Sequence, residues 1–222
     1  MVVAENPTPR QFTFIGNDVL VPSREIIKIG ASADEVIGSI FNAHGISQFT
    51  YTKYCPESTY PMDADQQDWW SKWSGFAQVE KLSEQIFTES ITLFHFEGDT
   101  VLRADILGVG SKVRVGEEKW HVPMLDFEST EHETEIHEIM DIGLPRGVVL
   151  KTDNSFHYYG LDLMKEGVWR NWITKLIQLE ESEELFGFSY LQTCLDRGYS
   201  ALRIWGYPGT SKEKSPVVVN RI

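Results

Sequence analysis

The sequence predicts a mixed α/β (α+β) domain in which short strands and amphipathic helices alternate over 222 residues. Several segments of about five residues alternate apolar and polar side chains, which is the pattern of half-buried strands. Two longer segments repeat apolar side chains at steps of three and four residues, which is the pattern of helices with one buried face. Neither an internal repeat nor a linker interrupts these elements, so we predict one compact domain over residues 1–222.

An N-terminal α/β lobe is predicted over residues 10–110. Its first strands are expected at residues 11–15 and 24–29, where apolar and polar side chains alternate. A further strand is expected at residues 46–54, after the first helix. The remaining residues, 111–222, form the second predicted lobe.

The first helix is predicted from its start and stop signals. Ser32 and Glu35 have the spacing of a capping box, in which two side chains satisfy free amide groups at a helix start. Gly45 supplies the stop signal, because glycine commonly follows the last helical residue. The apolar stripe between these signals consists of Val36, Ile37, Ile40 and Phe41.

The rest of the N-terminal lobe is predicted to hold one helix and two strands. A helical pattern covers residues 63–87, and we interpret its aromatic residues as core rather than as a base-stacking surface. Residues 90–96 and 100–107 are predicted to pair as strands across a turn at residues 97–99. Residues 108–111 are predicted to be a loop, and they lack the spacing of a phosphate-binding P-loop. The aromatic stripe comprises Trp69, Trp70, Trp73 and Phe76.

Two carboxylates end an apolar run near the start of the second lobe. If residues 120–128 form a strand, Asp126 and Glu128 share one face while Leu125 and Phe127 point into the protein. Such a pair suits Mg²⁺ or Mn²⁺, which prefer oxygen ligands and commonly bind substrate phosphates as well. An exposed acid pair without a function is the alternative, since such pairs are common on strands.

A second strand and a turn continue this unit. An acidic helix is predicted over residues 129–141, and we interpret its carboxylates as a solvated face. The strand from Val148 then reaches the turn-forming residues 153–155, and the chain returns through His157. The unit is therefore strand, helix, strand, turn, strand, with polar groups gathered at one end.

The last part of the chain is predicted to hold two helices and two strands. An amphipathic helix covers residues 164–179, and the charge run at residues 180–184 is expected to end it. A shorter helix is expected at residues 188–195, and strands are expected around residues 202–204 and 215–219.

Composition excludes several classes of protein. The net charge of −13 opposes long-range attraction to nucleic acid, so a high-affinity, non-specific nucleic-acid binder is not expected. No segment reaches the roughly 20 apolar residues of a membrane span. Cys55 and Cys194 fit no metal-site spacing, and we interpret them as reduced thiols. We therefore expect a cytoplasmic protein that does not enter membranes.

Three motifs in the second half resemble the catalytic core of the archaeo-eukaryotic primase-polymerase superfamily. The first is the acid pair Asp126 and Glu128, and the second is Ser155-Phe156-His157 after a turn. The third begins at Asp196 and continues through Leu202-Arg203-Ile204, Gly209-Thr210, Lys212 or Lys214, and Pro216-Val217-Val218. The resemblance covers roughly residues 118–222, with the three motifs in the family's order.

The resemblance implies a metal-dependent nucleotidyltransferase of the primase or polymerase type. Its catalytic carboxylates would hold two divalent ions, Mg²⁺ or Mn²⁺, that stabilise the attacking and departing oxygens. Its nucleotide-binding side chains would contact the triphosphate, with the arginine as a bidentate donor and the lysines as point charges. The implied metal ligands are Asp126, Glu128 and Asp196, and the implied nucleotide-binding residues are Ser155, His157, Arg203, Lys151 and Lys212.

The resemblance also implies the fold and the partners. A two-lobed core is expected, in which the N-terminal α/β unit packs on a mainly antiparallel sheet of RNA-recognition-motif type over residues 111–222. The expected partners are nucleoside triphosphates and a single-stranded nucleic-acid template, which another protein could deliver. Two alternatives stay open: a diverged, non-catalytic relative that binds a nucleotide or a protein partner, and a metal-dependent phosphoesterase that uses the same carboxylates.

Overall fold

The structure is a computed structural model that describes residues 18–21, 27–54, 74–78, 91–96, 99–104, 106–127, 142–153, 155–183, 188–206 and 214–222. These residues form an α+β architecture, which confirms the predicted fold class. All of the strand pairs between their named strands are antiparallel. No helix among them is long and apolar enough to cross a membrane.

The described elements follow one another in a regular order. The helices are α1 (Ala33–His44), α2 (Glu166–Glu183) and α3 (Phe188–Arg197). The strands before α2 are β1 (Val19–Leu20), β2 (Ile46–Tyr54), β3 (Ser74–Gln78), β4 (Ile91–Phe96), β5 (Asp99–Ala104), β6 (Ile106–Val115), β7 (Glu118–His121), β8 (Met124–Phe127), β9 (Gly147–Lys151), β10 (Phe156–Gly160) and β11 (Leu163–Met164). The strands after α3 are β12 (Ala201–Arg203) and β13 (Val217–Arg221).

The strands form three sheets. The largest has the order β1-β11-β7-β6-β2-β3, and β12 also pairs with β6. It therefore combines strands from both sides of residue 110. The second sheet has the order β13-β9-β10-β8, and the third is the hairpin of β4 and β5. This hairpin confirms the predicted pairing for residues 91–96 with residues 99–104. Residues 106–107, predicted to continue the second strand, belong to β6 and pair with β2.

The first helix has the predicted start, stop and buried face. The Ser32 backbone N–H donates to Glu35 Oε2 at 2.8 Å, which is the capping-box contact. Gly45 follows the helix at φ +63°, a left-handed conformation that glycine adopts without a steric cost. The predicted apolar stripe is buried: Val36, Ile37, Ile40 and Phe41 are each 1% exposed or less.

The four-stranded sheet has a hydrophobic core on each face. Because side chains alternate along a strand, Leu150 of β9 packs in one core and Val149 in the other. The first core also contains the buried face of α1, and the second contains Trp169 and Trp172 of α2. The amphipathic helix predicted over residues 164–179 is thus confirmed by its buried stripe.

The chain that leads into α1 covers the outer edge of β13. The Gly30 backbone N–H donates to the Val218 carbonyl at 2.8 Å, and the Val218 N–H donates to the Ala31 carbonyl at 2.8 Å. The Ala33 N–H donates to the Pro216 carbonyl at 3.0 Å. The strand at the end of the four-stranded sheet is therefore hydrogen-bonded along both of its edges.

Two predicted elements in the N-terminal part are wrong where the structure describes them. Residues 108–111 lie in the middle of β6 instead of forming a loop. The Gly110 position allows close packing, since a Cβ there would lie 2.9 Å from Thr50 Cβ. Residues 74–78, predicted as helix, form β3 because they pair with the edge of β2, whose backbone groups need partners.

Three other boundaries differ from the prediction. Helix α2 continues through the charge run as far as Glu183, since glutamate is a good helix former. The run predicted as one strand over residues 120–128 is two strands, β7 and β8, because Pro123 lacks the N–H that a continuous ladder needs. Residues 27–29, predicted as the end of a strand, belong to no strand, and the chain turns where the Ala31 N–H donates to the Lys28 carbonyl at 3.1 Å.

Other predicted elements lie outside the described residues. These are the strand at residues 11–15, the acidic helix at residues 129–141 and the positions of Trp69, Trp70 and Trp73.

Replacing Gly147 by alanine is expected to destabilise the protein by about 2–3 kcal/mol, since overpacking a core typically costs that much. A Cβ at this position would lie 2.2 Å from Tyr158 Cε2 and 2.7 Å from the Tyr159 carbonyl oxygen. The matched control is Gly167→Ala in α2, where a Cβ would have no atom within 4 Å. Urea denaturation measures both variants, and equal stabilities would contradict the expectation.

Candidate functional site

Two of the predicted site residues face each other across neighbouring strands. His157 of β10 lies directly opposite Asp126 of β8. His157 Nε2 is 3.6 Å from Asp126 Oδ1. The imidazole is 5% exposed and the carboxylate 44% exposed, so the pair has one buried member and one that solvent reaches.

The strand pattern explains why Asp126 is accessible. Leu125 and Phe127 are fully buried in the second core, so the side chain between them projects from the opposite face of the sheet. β8 is the last strand in its sheet, so this carboxylate lies at the edge of the four-stranded sheet. The predicted inward orientation of both apolar neighbours is confirmed.

The turn between β9 and β10 places Ser155 beside this pair. The Thr152 backbone N–H donates to the Ser155 carbonyl at 2.9 Å, and the Ser155 N–H donates to Thr152 Oγ1 at 3.0 Å. Ser155 Oγ is buried and has no hydrogen-bond partner among the described residues. Because an unsatisfied buried hydroxyl is unfavourable, this atom fits a ligand that accepts or donates a hydrogen bond.

The Arg203 guanidinium has protein partners at both of its terminal nitrogens. Its side chain is 2% exposed, and Nη2 lies 3.0 Å from Asp153 Oδ2. Nη1 donates to the carbonyls of Lys214 at 2.6 Å and Trp205 at 3.1 Å. The guanidinium therefore connects the β9–β10 turn with the segments that follow β12.

Asp196 lies on α3, and its carboxylate is exposed to solvent. Its Oδ1 accepts a hydrogen bond from Gln192 Nε2 at 3.0 Å, one helical turn away. Burial is the main cause that raises the pKa of the Cys194 thiol, Arg197 opposes it, and the charge of Asp126 adds a smaller increase, so Asp126 is within electrostatic range of Cys194 on α3. Asp196 follows Cys194 by two residues, which is about 200° around the helix axis. Its convergence with Asp126 stays a prediction.

Of the other predicted site residues, one lies next to the β9–β10 turn and two lie outside the described residues. Lys151 Nζ is 4.3 Å from the centroid of the Phe156 ring, next to the β9–β10 turn. Glu128 and Lys212 are outside the described residues, so their roles stay predictions. The described part of the chain contains no cluster of three or more His, Cys, Asp or Glu side chains that could hold a metal ion.

A second polar cluster was not predicted from the sequence. Ser111 Oγ is 3.1 Å from His121 Nδ1, and His121 Nε2 is 2.9 Å from Glu166 Oε2. Ser111 Oγ also accepts from the backbone N–H of Ser200 at 3.1 Å. An ionised Glu166 requires the proton on Nε2, so Nδ1 accepts from the Ser111 hydroxyl. This chain of hydrogen bonds connects β6, β7, the start of α2 and the segment that follows α3.

The cluster is buried at its histidine and charged at its carboxylate. The His121 ring is fully buried and stacks on Trp169 with centroids 4.4 Å apart. Burial lowers the pKa of His121 to about 4, although the hydrogen bond and the charge of Glu166 oppose that change. Burial raises the pKa of Glu166, but His121, Arg170 and Lys112 together lower it to about 2. At neutral pH the histidine is therefore neutral and the glutamate ionised.

Sequence patterns gave no signal for this cluster. Its three side chains are spread over positions 111, 121 and 166, and the histidine stands in an apolar run where a core position is the ordinary interpretation. The β6–β7 register and the position of the start of α2 bring them together.

The stability of the protein is expected to fall between pH 6.5 and 4 because of His121. In the unfolded chain its pKa is about 6.5 and in the folded protein about 4, so protons bind the unfolded state preferentially as the pH falls. We expect a loss on the order of 3 kcal/mol from this residue, and a smaller pH dependence in His121→Gln. Urea denaturation at several pH values measures the free energy of unfolding of both proteins. Identical pH profiles would contradict the assignment of this pH dependence to His121.

Comparison with known families identifies the family to which the second half of the chain is similar. A family model described as AEP-like, archaeo-eukaryotic primase 1D-like, matches residues 78–214. The matched segment contains all of the residues to which a site role was assigned from the sequence. No significant match was found among curated proteins or among solved structures.

Proposed function

The chain belongs to the AEP-like family of archaeo-eukaryotic primase 1D-like proteins, and from this premise we propose that it is a metal-dependent nucleotidyltransferase of the primase or polymerase type. Such an enzyme adds nucleotides to a nucleic-acid strand. Its substrates are nucleoside triphosphates and a single-stranded template, and its proposed location is the cytoplasm.

The observation that carries the proposal is the contact between Asp126 and His157. The two residues belong to separate motifs, 31 positions apart in the sequence, and they meet at 3.6 Å at one margin of the four-stranded sheet. A solvent-accessible carboxylate next to an imidazole provides an oxygen ligand for a cation and a hydrogen-bond donor for the phosphate that accompanies it.

The donor chemistry of the site fits Mg²⁺ or Mn²⁺. Asp126 offers a carboxylate that is 44% exposed, and such ions take oxygen ligands while keeping several waters. Glu128 and Asp196 are the further ligands that we propose. When bound, two such ions lower the energy of the charge that develops on the attacking and departing oxygens.

The remaining side chains position the triphosphate. His157 Nε2, on the Asp126 side of the ring, donates to a phosphate oxygen, and the Ser155 hydroxyl donates from the adjacent turn. Arg203 presents its guanidinium from the end of β12, and the incoming phosphate replaces the Asp153 carboxylate that now contacts it at 3.0 Å. Lys151 and Lys212 are proposed to add positive charge at the rim.

The proposed division into lobes follows the same family. Residues 10–110 form the N-terminal α/β lobe, and residues 111–222 contain the catalytic lobe of RNA-recognition-motif type. The four-stranded antiparallel sheet, which positions the Asp126–His157 pair and carries α2 and α3 on one face, supports the catalytic lobe. The proposed boundary at residue 110 lies inside β6, so the two lobes would share the largest sheet.

Primer extension tests the proposal. The purified protein is incubated with labelled nucleoside triphosphates, Mn²⁺ or Mg²⁺, and a primed or an unprimed single strand. The expected result is a longer strand or a short new primer, and no product after chelation of the metal. Absence of product with both metals and both templates would refute the proposal, and shortening of the strand without triphosphates would indicate a phosphoesterase.

A second candidate is a non-catalytic relative that binds the nucleotide only. The ion pair between Asp153 and Arg203 favours this candidate, because the enzyme would need the Arg203 guanidinium to contact a phosphate instead. Triphosphate binding that persists without any strand extension, and that is the same in Asp126→Asn, would select this candidate.

A further inference from the structure

The Ser111–His121–Glu166 cluster holds the residue that precedes β12. The Ser111 backbone N–H donates to the Ser200 carbonyl at 2.7 Å, and the Ser200 N–H donates to Ser111 Oγ at 3.1 Å. β12 is three residues long and, among the described strands, pairs with β6 alone. Because strands usually have five or six residues, β12 has few ladder bonds of its own. The two bonds from Ser111 are therefore a large share of what fixes its position.

The Ser111 hydroxyl is oriented by His121. Its Oγ is 3.1 Å from His121 Nδ1, and both side chains are fully buried. A hydroxyl has one hydrogen and two lone pairs, so the hydrogen points to Nδ1 while a lone pair accepts from the Ser200 N–H. The same burial excludes Ser111 as a nucleophile, since a hydroxyl that is 0% exposed does not reach a substrate. The role of the cluster is therefore one of position.

Glu166 organises the outer end of the cluster. Its Oε2 accepts from His121 Nε2 at 2.9 Å, and its Oε1 accepts from Arg170 Nε at 2.7 Å. Arg170 Nη1 in turn donates to the Leu195 carbonyl of α3 at 3.2 Å. Glu166 therefore connects to the chain that leads into β12 from two sides, through Ser111 in the sheet and through Arg170 on the helix.

β12 links the cluster to the proposed site. Its last residue is Arg203, whose guanidinium lies 3.0 Å from Asp153 in the β9–β10 turn. The same turn contains Ser155 and leads into β10, which carries His157. A displacement of β12 along β6 would therefore move Arg203 against the turn that places both of these side chains.

Hydrogen bonds give this junction a defined geometry. Burying polar groups opposes folding, and apolar side chains of similar volume often stabilise a core as well as a buried charged network does. Here the His121 ring stacks on Trp169 and still forms hydrogen bonds at both of its nitrogens. A buried network whose groups are satisfied fixes distances and directions between the elements that it joins. In this protein those elements are β6, β7, α2 and the chain before β12.

We propose that Glu166, through His121 and Ser111, positions β12 and with it the Arg203–Asp153 pair at the proposed site. His121 and Glu166 are positioning residues, which act through β12 and do not contact the substrate. Their effect on triphosphate binding rests on the proposed function, whereas their coupling to the β9–β10 turn does not.

A double-mutant cycle tests the coupling without any activity. His121→Phe keeps a ring against Trp169 and removes both hydrogen bonds, and it is combined with Asp153→Asn. Independent positions change the unfolding equilibrium constant by factors that multiply to within about twofold, and we expect a deviation of about fivefold or more. The matched control is His44→Phe, which removes a buried hydrogen bond to the Leu161 carbonyl at 2.8 Å. Its factor should multiply with that of Asp153→Asn.

Nucleotide addition supplies the second readout. KM for the triphosphate should rise about fivefold in His121→Phe with kcat nearly unchanged, because a displaced guanidinium weakens binding of substrate and transition state alike. Glu166→Gln keeps an oxygen that accepts from His121 Nε2, so its KM should stay near the wild-type value. Glu166→Ala should behave like His121→Phe.

Each outcome decides the proposal. Factors that multiply in the cycle of His121→Phe with Asp153→Asn would overturn it, and so would an equal rise of KM in His44→Phe. If His121→Phe does not fold, Ser111→Ala takes its place in both measurements. Coupling in the cycle without any nucleotide addition by the wild type would support the positioning and refute the proposed function.

Discussion

Replacing Asp126 by asparagine is expected to reduce strand extension by about 10³-fold while the protein stays folded. A metal ion contributes several kcal/mol to the stabilisation of the charge that develops in the reaction, and each 1.4 kcal/mol corresponds to about tenfold in rate. Asparagine keeps the shape of the side chain but removes the negative charge that attracts a divalent cation. The side chain is 44% exposed, so its replacement leaves the cores intact.

The measurement is the rate of nucleotide addition with saturating Mn²⁺, together with triphosphate binding and the melting temperature. Asp18→Asn is the matched control, because its carboxylate is exposed in the turn before β1. We expect the control to extend strands at the wild-type rate. An Asp126→Asn protein with undiminished extension would show that this carboxylate does not hold the catalytic metal.

Replacing Arg203 by methionine is expected to destabilise the protein by about 3–5 kcal/mol, the usual effect of removing one member of a buried ion pair. The change leaves the carbonyls of Lys214 and Trp205 without their donor and the Asp153 carboxylate without its cation. For a chain of this length the melting temperature should fall on the order of 10 °C. Arg221→Met, at an exposed position in β13, should change stability by less than about 0.5 kcal/mol.

A double-mutant cycle separates the ion pair from the other contacts of Arg203. Asp153→Asn alone should cost less than Arg203→Met, because its carboxylate is 17% exposed and three donor contacts join the guanidinium to the rest of the protein. The coupling energy of the pair should be about 1–3 kcal/mol. Additive effects in urea denaturation would show that the pair contributes nothing beyond its separate members.

Much of the fold was predictable because local signals agreed with the tertiary structure. Helix α1 has a capping box, a buried stripe and a terminal glycine that all specify the same boundaries. The loop prediction for residues 108–111 was wrong because two glycines favour a loop locally, whereas in the sheet Gly110 is required by close contact with Thr50. Residues 74–78 likewise form a strand, despite their helical pattern, because they hydrogen-bond to the edge of β2.

The site was predictable in its motifs but not in its partners. Order along the chain identified Asp126 and His157, and strand register brought them face to face. The same reasoning could not show that Asp153 forms an ion pair with Arg203, because the two residues are 50 positions apart. Asp153 lies in a turn whose path the sequence does not specify. The Ser111–His121–Glu166 cluster was missed for a similar reason.

The double-sided hydrogen bonding of β13 has a consequence for engineering the protein. Removing residues 217–222 would expose the backbone of β9 and, at the same time, release the segment that leads into α1. An uncovered strand edge is a template for pairing with another molecule, so a shortened protein of this kind should self-associate. Affinity tags are therefore better joined through a flexible spacer than by trimming the last strand.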